Sequence, residues 1–263
     1  MSHLPLITLT HQSHGAHGTV VTVAINNPSR FNALSSEVIN QFIAAVRSVA
    51  ADPDLRCLIV TGTGDRSFMG GANLEELEGL NPGTARAFLT LIHEMCQVLR
   101  DLPVPTIARV NGYCLGAGLE VMAACDMHIA SDTAMFGMPE VKIGLPSVVE
   151  AVLLPRLIGW GRANWLIYTG ETIDAPTAER WGLVETIVPA AKLDETLNAW
   201  VAAIVESGPR AIRLQKELIR EWEAMPLSDA IQAGIRMMGR TYETDEPRRM
   251  VAAARERLRN RKK

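Results

Sequence analysis

TIARVNGYCLGAGLEVMAACDMHIA, residues 106–130, is the stretch on which the fold of this chain turns. Thr106 to Val110 reads as a strand and Asn111-Gly112 as a turn. Residues 116–125 read as a helix of small and apolar side chains, and 127–130 as a second strand. Strand, glycine-rich turn, helix, strand: that order predicts an α/β fold with a largely parallel sheet.

Working outward, the same order recurs upstream. Residues 57–61 form a short apolar strand, followed by a glycine-rich loop over 62–71. A helix over 72–80 stops at Asn81-Pro82-Gly83, and a longer one covers 84–101. Nearer the N-terminus, 4–10 and 19–25 read as strands with a hairpin loop at 11–18. Ser35 is placed to cap a helix carrying Val38, Phe42, Ala45, Val46 and Val49. From Pro146 onward the pattern is helical, interrupted at Gly170, at an extended piece over 184–188 and at Gly208-Pro209. The expected organisation is an α/β core over residues 1–194 and a helical region over 195–263.

The 263 residues carry 26 basic and 29 acidic side chains, which argues against a dedicated nucleic-acid binder. The balance is uneven, because residues 248–263 hold eight Lys/Arg and one acid. The four cysteines, Cys57, Cys96, Cys114 and Cys125, form no CxxC pair, and most lie in apolar runs. They read as reduced core thiols. No apolar run reaches transmembrane length, and residues 1–10 lack the features of a signal peptide. The expected setting is the cytoplasm.

Glu120 sits among Gly116, Ala117, Gly118, Leu119, Val121 and Met122, where a carboxylate is costly unless paired or used. Either it complements the positive end of its helix or it does chemistry. Glu140 follows Met138-Pro139 and precedes Val141 and Ile143-Gly144-Leu145. It is either a loop acid partnered by Lys142 or a second functional carboxyl. Two carboxyls in one site would have their pKa values pushed apart, leaving one acid and one base. Gly70-Gly71-Ala72-Asn73 and Gly116-Ala117-Gly118 are small-residue turns before helices. They are either simply tight turns or exposed backbone donors converging on one carbonyl, an oxyanion hole. Asn73 would cap the helix it opens.

Competing motifs fail. Gly62-Thr63-Gly64 follows a strand, but Ser67 replaces the third glycine of a dinucleotide fingerprint. There is no Walker-type Gly-Lys-Ser/Thr and no Gly-x-Ser-x-Gly elbow. His11, His14 and His17 fall in the hairpin loop and are not read as a metal site. Trp160, Trp165 and Trp181 read as core or subunit-packing residues.

Taken in order, these residues resemble the enoyl-CoA hydratase (crotonase) superfamily. Residues 111–120 look like its signature, and Phe136-Gly137-Met138-Pro139-Glu140 looks like its second catalytic segment. Asn32-Ala33-Leu34, Phe68 to Asn73, Gly159 with Ala163, the run Ala178 to Val184, and Thr244-Asp245 match further elements, across nearly the whole chain. The resemblance implies an α/β spiral of ββα units with a C-terminal helical trimerisation region, assembled as a homotrimer or a dimer of trimers. It implies reversible hydration of a 2-enoyl-CoA, with isomerisation or thioester hydrolysis as the alternatives within the superfamily. Glu120 and Glu140 would be catalytic, and the amides of Ala72 and Ala117 would form the oxyanion hole. Coenzyme A and substrate would lie along Arg30, Ala33, Leu34, Gly70, Gly71, Asn73, Leu74 and Gly116. Arg255 or Arg257 of a neighbouring subunit would meet the nucleotide phosphates, unless that tail is merely a solvated helix. No metal and no cofactor beyond the coenzyme A moiety is implied.

The chain departs from that pattern at Pro146-Ser147-Val148-Val149-Glu150, where the superfamily commonly has glycines. Bulkier side chains and a third carboxyl there suggest a short or functionalised acyl group. Glu150 is either structural or a reader of a polar acyl end.

Overall fold

The first two strands, β1 (Ile7–Ser13) and β2 (Thr19–Ile25), pair antiparallel at one edge of a six-stranded sheet. The computed structural model describes residues 5–260, so residue 4 of the expected first strand and 261–263 of the basic tail lie outside it. Residues 11–13, expected in the loop, continue β1: His11, Gln12 and Ser13 lie opposite Val21, Val20 and Thr19. An exposed edge strand keeps polar residues on both faces, which hides its alternation.

The chain divides into two compact units, Met1–Val201 and Ala202–Lys263. In the first, α1 (Ser36–Ala50) is capped by Ser35, whose side chain accepts from the Val38 amide, and buries Val38, Ile39, Phe42, Ile43, Val46 and Val49. The strand β3 (Leu55–Gly62) is buried along all eight residues and pairs parallel with β2. A three-residue strand β4 (Ser67–Met69), the short helix α2 (Leu74–Glu78) and α3 (Pro82–Arg100) complete one strand–strand–helix unit. The unit recurs as β5 (Thr106–Val110), β6 (Tyr113–Leu115) and α4 (Ala117–Ala123). It begins again with β7 (Met127–Ser131) and β8 (Met135–Gly137), then 3-10 turns at Pro139–Ile143 and Val149–Leu153.

Helices α5 (Leu154–Ile158) and α6 (Trp160–Thr169) follow, then β9 (Thr172–Asp174), α7 (Ala175–Trp181), β10 (Thr186–Val188) and α8 (Leu193–Val205). The long strands form the order β1-β2-β3-β5-β7-β10. The short ones form a second sheet, β4-β6-β8-β9. Parallel pairing dominates both, with β1/β2 and β8/β9 the antiparallel pairs. The second sheet corrects the sequence reading, which had a loop at β4 and helix at β9 and assigned nothing to β6; three residues are too few for a period-two signal. Trp160 and Trp165 are not core residues: both are exposed.

Buried asparagines shape the tight link between β3 and β4. Asn32, fully buried at φ 55°, accepts from the Asn27 amide (3.0 Å) and donates to the carbonyls of Thr63 (3.1 Å) and Ser67 (2.8 Å). Asn111 donates to the Gly62 and Gly64 carbonyls at 3.0 and 2.6 Å. Asn32→Ala strands the Asn27 amide and the Thr63 carbonyl, leaves Ser67 O with only its longer bond from Asn111 (3.3 Å), and puts an alanine at positive φ, so a loss of about 3 kcal/mol is expected. Urea unfolding checks it, and a change under about 1 kcal/mol would refute the assignment.

The second unit is helical: α9 (Pro209–Trp222), α10 (Leu227–Thr241) and α11 (Glu246–Asn260). Leu214, Leu218, Ala233 and Met237 form its own small core. Glu246 accepts from the Arg210 and Ala211 amides at 3.1 and 2.9 Å, satisfying donors at the N-terminus of α9.

Candidate active site

The two small-residue turns of the sequence meet in the first unit. Gly116, between β6 and α4, adopts φ 52°, and a Cβ there would lie 2.5 Å from Glu140 Oε1. Only glycine leaves room for that carboxyl. A Cβ on Gly118 would lie 2.3 Å from the Met69 carbonyl, so α4 packs directly on the end of β4. The 70–73 turn is held from the other side. Leu34 and Ala72 form a parallel bridge, with Leu34 N donating to Gly71 O and Asn73 N to Leu34 O. Asn73 Oδ1 accepts from the Glu76 amide and caps α2.

Every residue of α4 is buried, and Glu120 is 4% exposed. Its Oε1 accepts from the Ala151 amide at 3.1 Å. Burial pushes its carboxyl well above the usual range, and the charges of Glu140 and then Glu150 add to the shift, against the lowering effect of the Ala151 bond. Glu140 stands in the turn after β8, where its Oε2 accepts from the Ser147 hydroxyl at 2.8 Å. Burial raises its pKa too, opposed by Ser147. Lys142 pairs with Glu171 at 2.7 Å, so the loop-acid reading of Glu140 loses its proposed partner.

Glu120 and Glu140 line one cavity of about 290 Å³ together with Gly70, Gly71, Ala72, Leu74, Gly116 and Ala117. The amides of Ala72 and Ala117 donate no hydrogen bond to any described residue. The remaining wall is apolar and includes Leu77, Phe88, Leu89, Ile92, Ile143, Leu145 and Val148. Such a site offers free backbone donors and two carboxyls that hold protons tightly, which suits proton transfer beside a developing oxyanion.

Four expected binding residues do not line the cavity. Leu34 is fully buried behind Ala72, Ala33 precedes it, and Asn73 serves as a cap. Arg30 is exposed and pairs with Glu75 of α2 at 2.9 Å. Glu150 is not among the residues that line the cavity. Its Oε1 lies 2.7 Å from His93 Nδ1 on α3.

Comparison with known proteins decides the family. Residues 15–261 match the enoyl-CoA hydratase/isomerase family. The chain belongs to the enoyl-CoA hydratase/isomerase family. Among family members, it is 33% identical over 237 residues to the short-chain-enoyl-CoA hydratase of Clostridium acetobutylicum, covering 90% of this chain and 91% of that one. It is 34% identical to the crotonyl-CoA hydratase of Syntrophomonas wolfei over 87% and 88% of the two chains. The crystal structure of an enoyl-CoA hydratase from Bacillus anthracis superposes with a TM-score of 0.89 at 32% identity, covering 95% and 96% of the chains. The α/β fold with a helical C-terminal region is therefore that of the family.

Several residues of this enoyl-CoA hydratase/isomerase site were not anticipated. Ser147 and Ala151, the hydrogen-bond donors to Glu140 and Glu120, carry no mark in the sequence beyond lying within and just after the departing segment. His93 is a lone histidine on an amphipathic helix. Phe88, Leu89 and Ile92 are legible as an apolar helix face, but not as a cavity wall.

Proposed function

We propose that the protein adds water reversibly to a 2-enoyl-CoA thioester, giving the 3-hydroxyacyl-CoA. The observation that carries this reading is one cavity holding two raised carboxyls beside two amides without acceptors. The thioester oxygen accepts from the Ala72 and Ala117 amides, which stabilise the enolate that forms when oxygen attacks the β-carbon. Glu120 and Glu140 hold the water between them. Glu120 takes its proton as the C–O bond forms, and Glu140 delivers a proton to the α-carbon as the enolate collapses. No electrons are gained or lost, so the chemistry calls for no cofactor beyond the coenzyme A of the substrate.

The apolar wall supports an aliphatic acyl group in place of the functionalised one expected from residues 146–150, since a buried polar end would find no partner there. Exposed Leu227, Ile231, Ile235 and Met238 support the helical region as an oligomerisation surface, and with it a homotrimer or a dimer of trimers. Four buried free cysteines support a reducing, cytoplasmic setting. No helix among the described residues is long and apolar enough to cross a membrane.

The test is loss of the conjugated-thioester absorbance when short and medium aliphatic 2-enoyl-CoAs are added, with product identified by mass. Turnover is expected in the wild type and not in Glu120→Ala or Glu140→Ala. Unchanged turnover in both variants refutes the mechanism. Conversion of a 3-enoyl-CoA without water uptake by any substrate would make the protein an isomerase.

A further inference from the structure

We propose that Glu150 and His93 form a latch that positions Glu120, pinning the 147–151 segment to α3 so that the Ala151 amide stays seated on the Glu120 carboxyl. The inference rests on the reading of Glu120 as the residue that activates water.

Three features of this segment point the same way. Its backbone is strained: Val149, a β-branched residue, sits at φ 39°, a conformation that persists only when the surroundings impose it. Its one buried acid is sparsely partnered: Glu150 is 6% exposed, bonds His93 through Oε1, and otherwise has the buried Cys96 thiol as its side-chain neighbour. A buried carboxylate with so few partners is an expensive way to gain stability. And the segment touches both members of the pair, Ser147 donating to Glu140 and Ala151 to Glu120.

His93 belongs to the helix whose Phe88, Leu89 and Ile92 line the cavity, so the latch ties the cavity wall to the seat of the acid. Its side chain is half exposed, whereas that of Glu150 is buried. The titratable groups around Glu120 are Glu140, Glu150 and Cys96. Cys96 is a buried thiol pushed up by burial and by the charges of Glu150 and Glu120. No basic side chain lines the cavity among the described residues.

The experiment measures kcat and KM separately for Glu150→Ala, His93→Ala, the double variant and Glu150→Gln. Each alanine variant is expected to lower kcat by roughly 10–100-fold with KM nearly unchanged, the cost of misplacing a catalytic group. The double variant should be no slower than the slower single one, because both break the same contact. Glu150→Gln keeps an acceptor for His93 and should restore most of kcat. It also removes a charge that raises Glu120, so the acid limb of its kcat/KM profile should move to lower pH.

Alanine variants with kcat within about twofold of wild type, or a loss confined to KM, overturn the latch. Should Glu150→Ala fail to fold, His93→Ala and the pH limb of Glu150→Gln decide the matter: an unshifted limb with normal kcat in His93→Ala refutes it. Glu120→Gln run alongside separates the two levels. If that variant keeps full turnover, the hydratase mechanism fails. If it is inactive while the latch variants turn over normally, only the latch fails.

Discussion

Glu120→Gln is expected to lose roughly 10²–10⁴-fold in kcat and, at pH 8, to melt at a higher temperature than the wild type. The first effect follows from chemistry. Glutamine still offers an oxygen to the Ala151 amide, so the seat is preserved, but it cannot take a proton from water. The second follows from linkage. Burial raises the Glu120 pKa in the folded protein above its unfolded value, so the folded state holds that proton more tightly. The resulting stabilisation is complete below the unfolded pKa and is lost as pH rises through the folded one. As pH rises toward 8 the wild type takes on a growing share of the cost of ionising a buried acid beside Glu140, and the amide does not. The gain should shrink toward pH 4, where the wild-type carboxyl is largely protonated. Calorimetric melting at both pH values checks this. A lower midpoint for the variant at pH 8 would mean that Glu120 holds the fold together and is not strained within it.

That expected conflict between stability and activity is also why Glu120 was legible. A carboxyl in a run of small and apolar residues has few structural excuses, and 116–120 placed it on a buried helix start without any contact being known. Glu140 was different: its neighbours admit a solvated acid, and its pairing with Glu120 rested more heavily on the resemblance to a known family. The glycine at 116 was readable as a turn. Its tighter constraint, the space for a carboxyl 24 residues away, depends on a tertiary contact that no local pattern encodes.

The same limit explains the second sheet. β4 and β6 are three residues each and are stabilised by pairing across separate ββα units, so nothing within either segment distinguishes it from a loop, whereas β8 was read as a strand end at 134–136. The segment 146–150 was legible as a departure, with the role of its third acid left open. Sequence shows a third acid near the site. It does not show that positive φ at Val149 accompanies a Glu150 side chain that meets His93, 57 residues distant.

Ala117→Pro is expected to lower kcat by roughly 10²–10³-fold while leaving the fold intact. The position allows an unusually clean removal of one donor. Ala117 is the first residue of α4, where proline's fixed φ is compatible with a helix start and its missing N–H breaks no intrahelical bond. The Ala117 amide donates to no described residue, so the protein loses no hydrogen bond of its own. What disappears is the backbone donor of a residue that lines the cavity along with Glu120 and Glu140. Ala117→Gly retains the N–H and serves as the control, with kcat expected close to wild type. Because the proline ring also occupies space, binding of a saturated acyl-CoA should be measured by calorimetry. Retained binding with reduced kcat assigns the loss to the transition state, where the thioester oxygen carries most charge. Near-normal kcat in a folded Ala117→Pro would remove this amide from the mechanism and leave the carboxyl pair to act on a thioester polarised elsewhere.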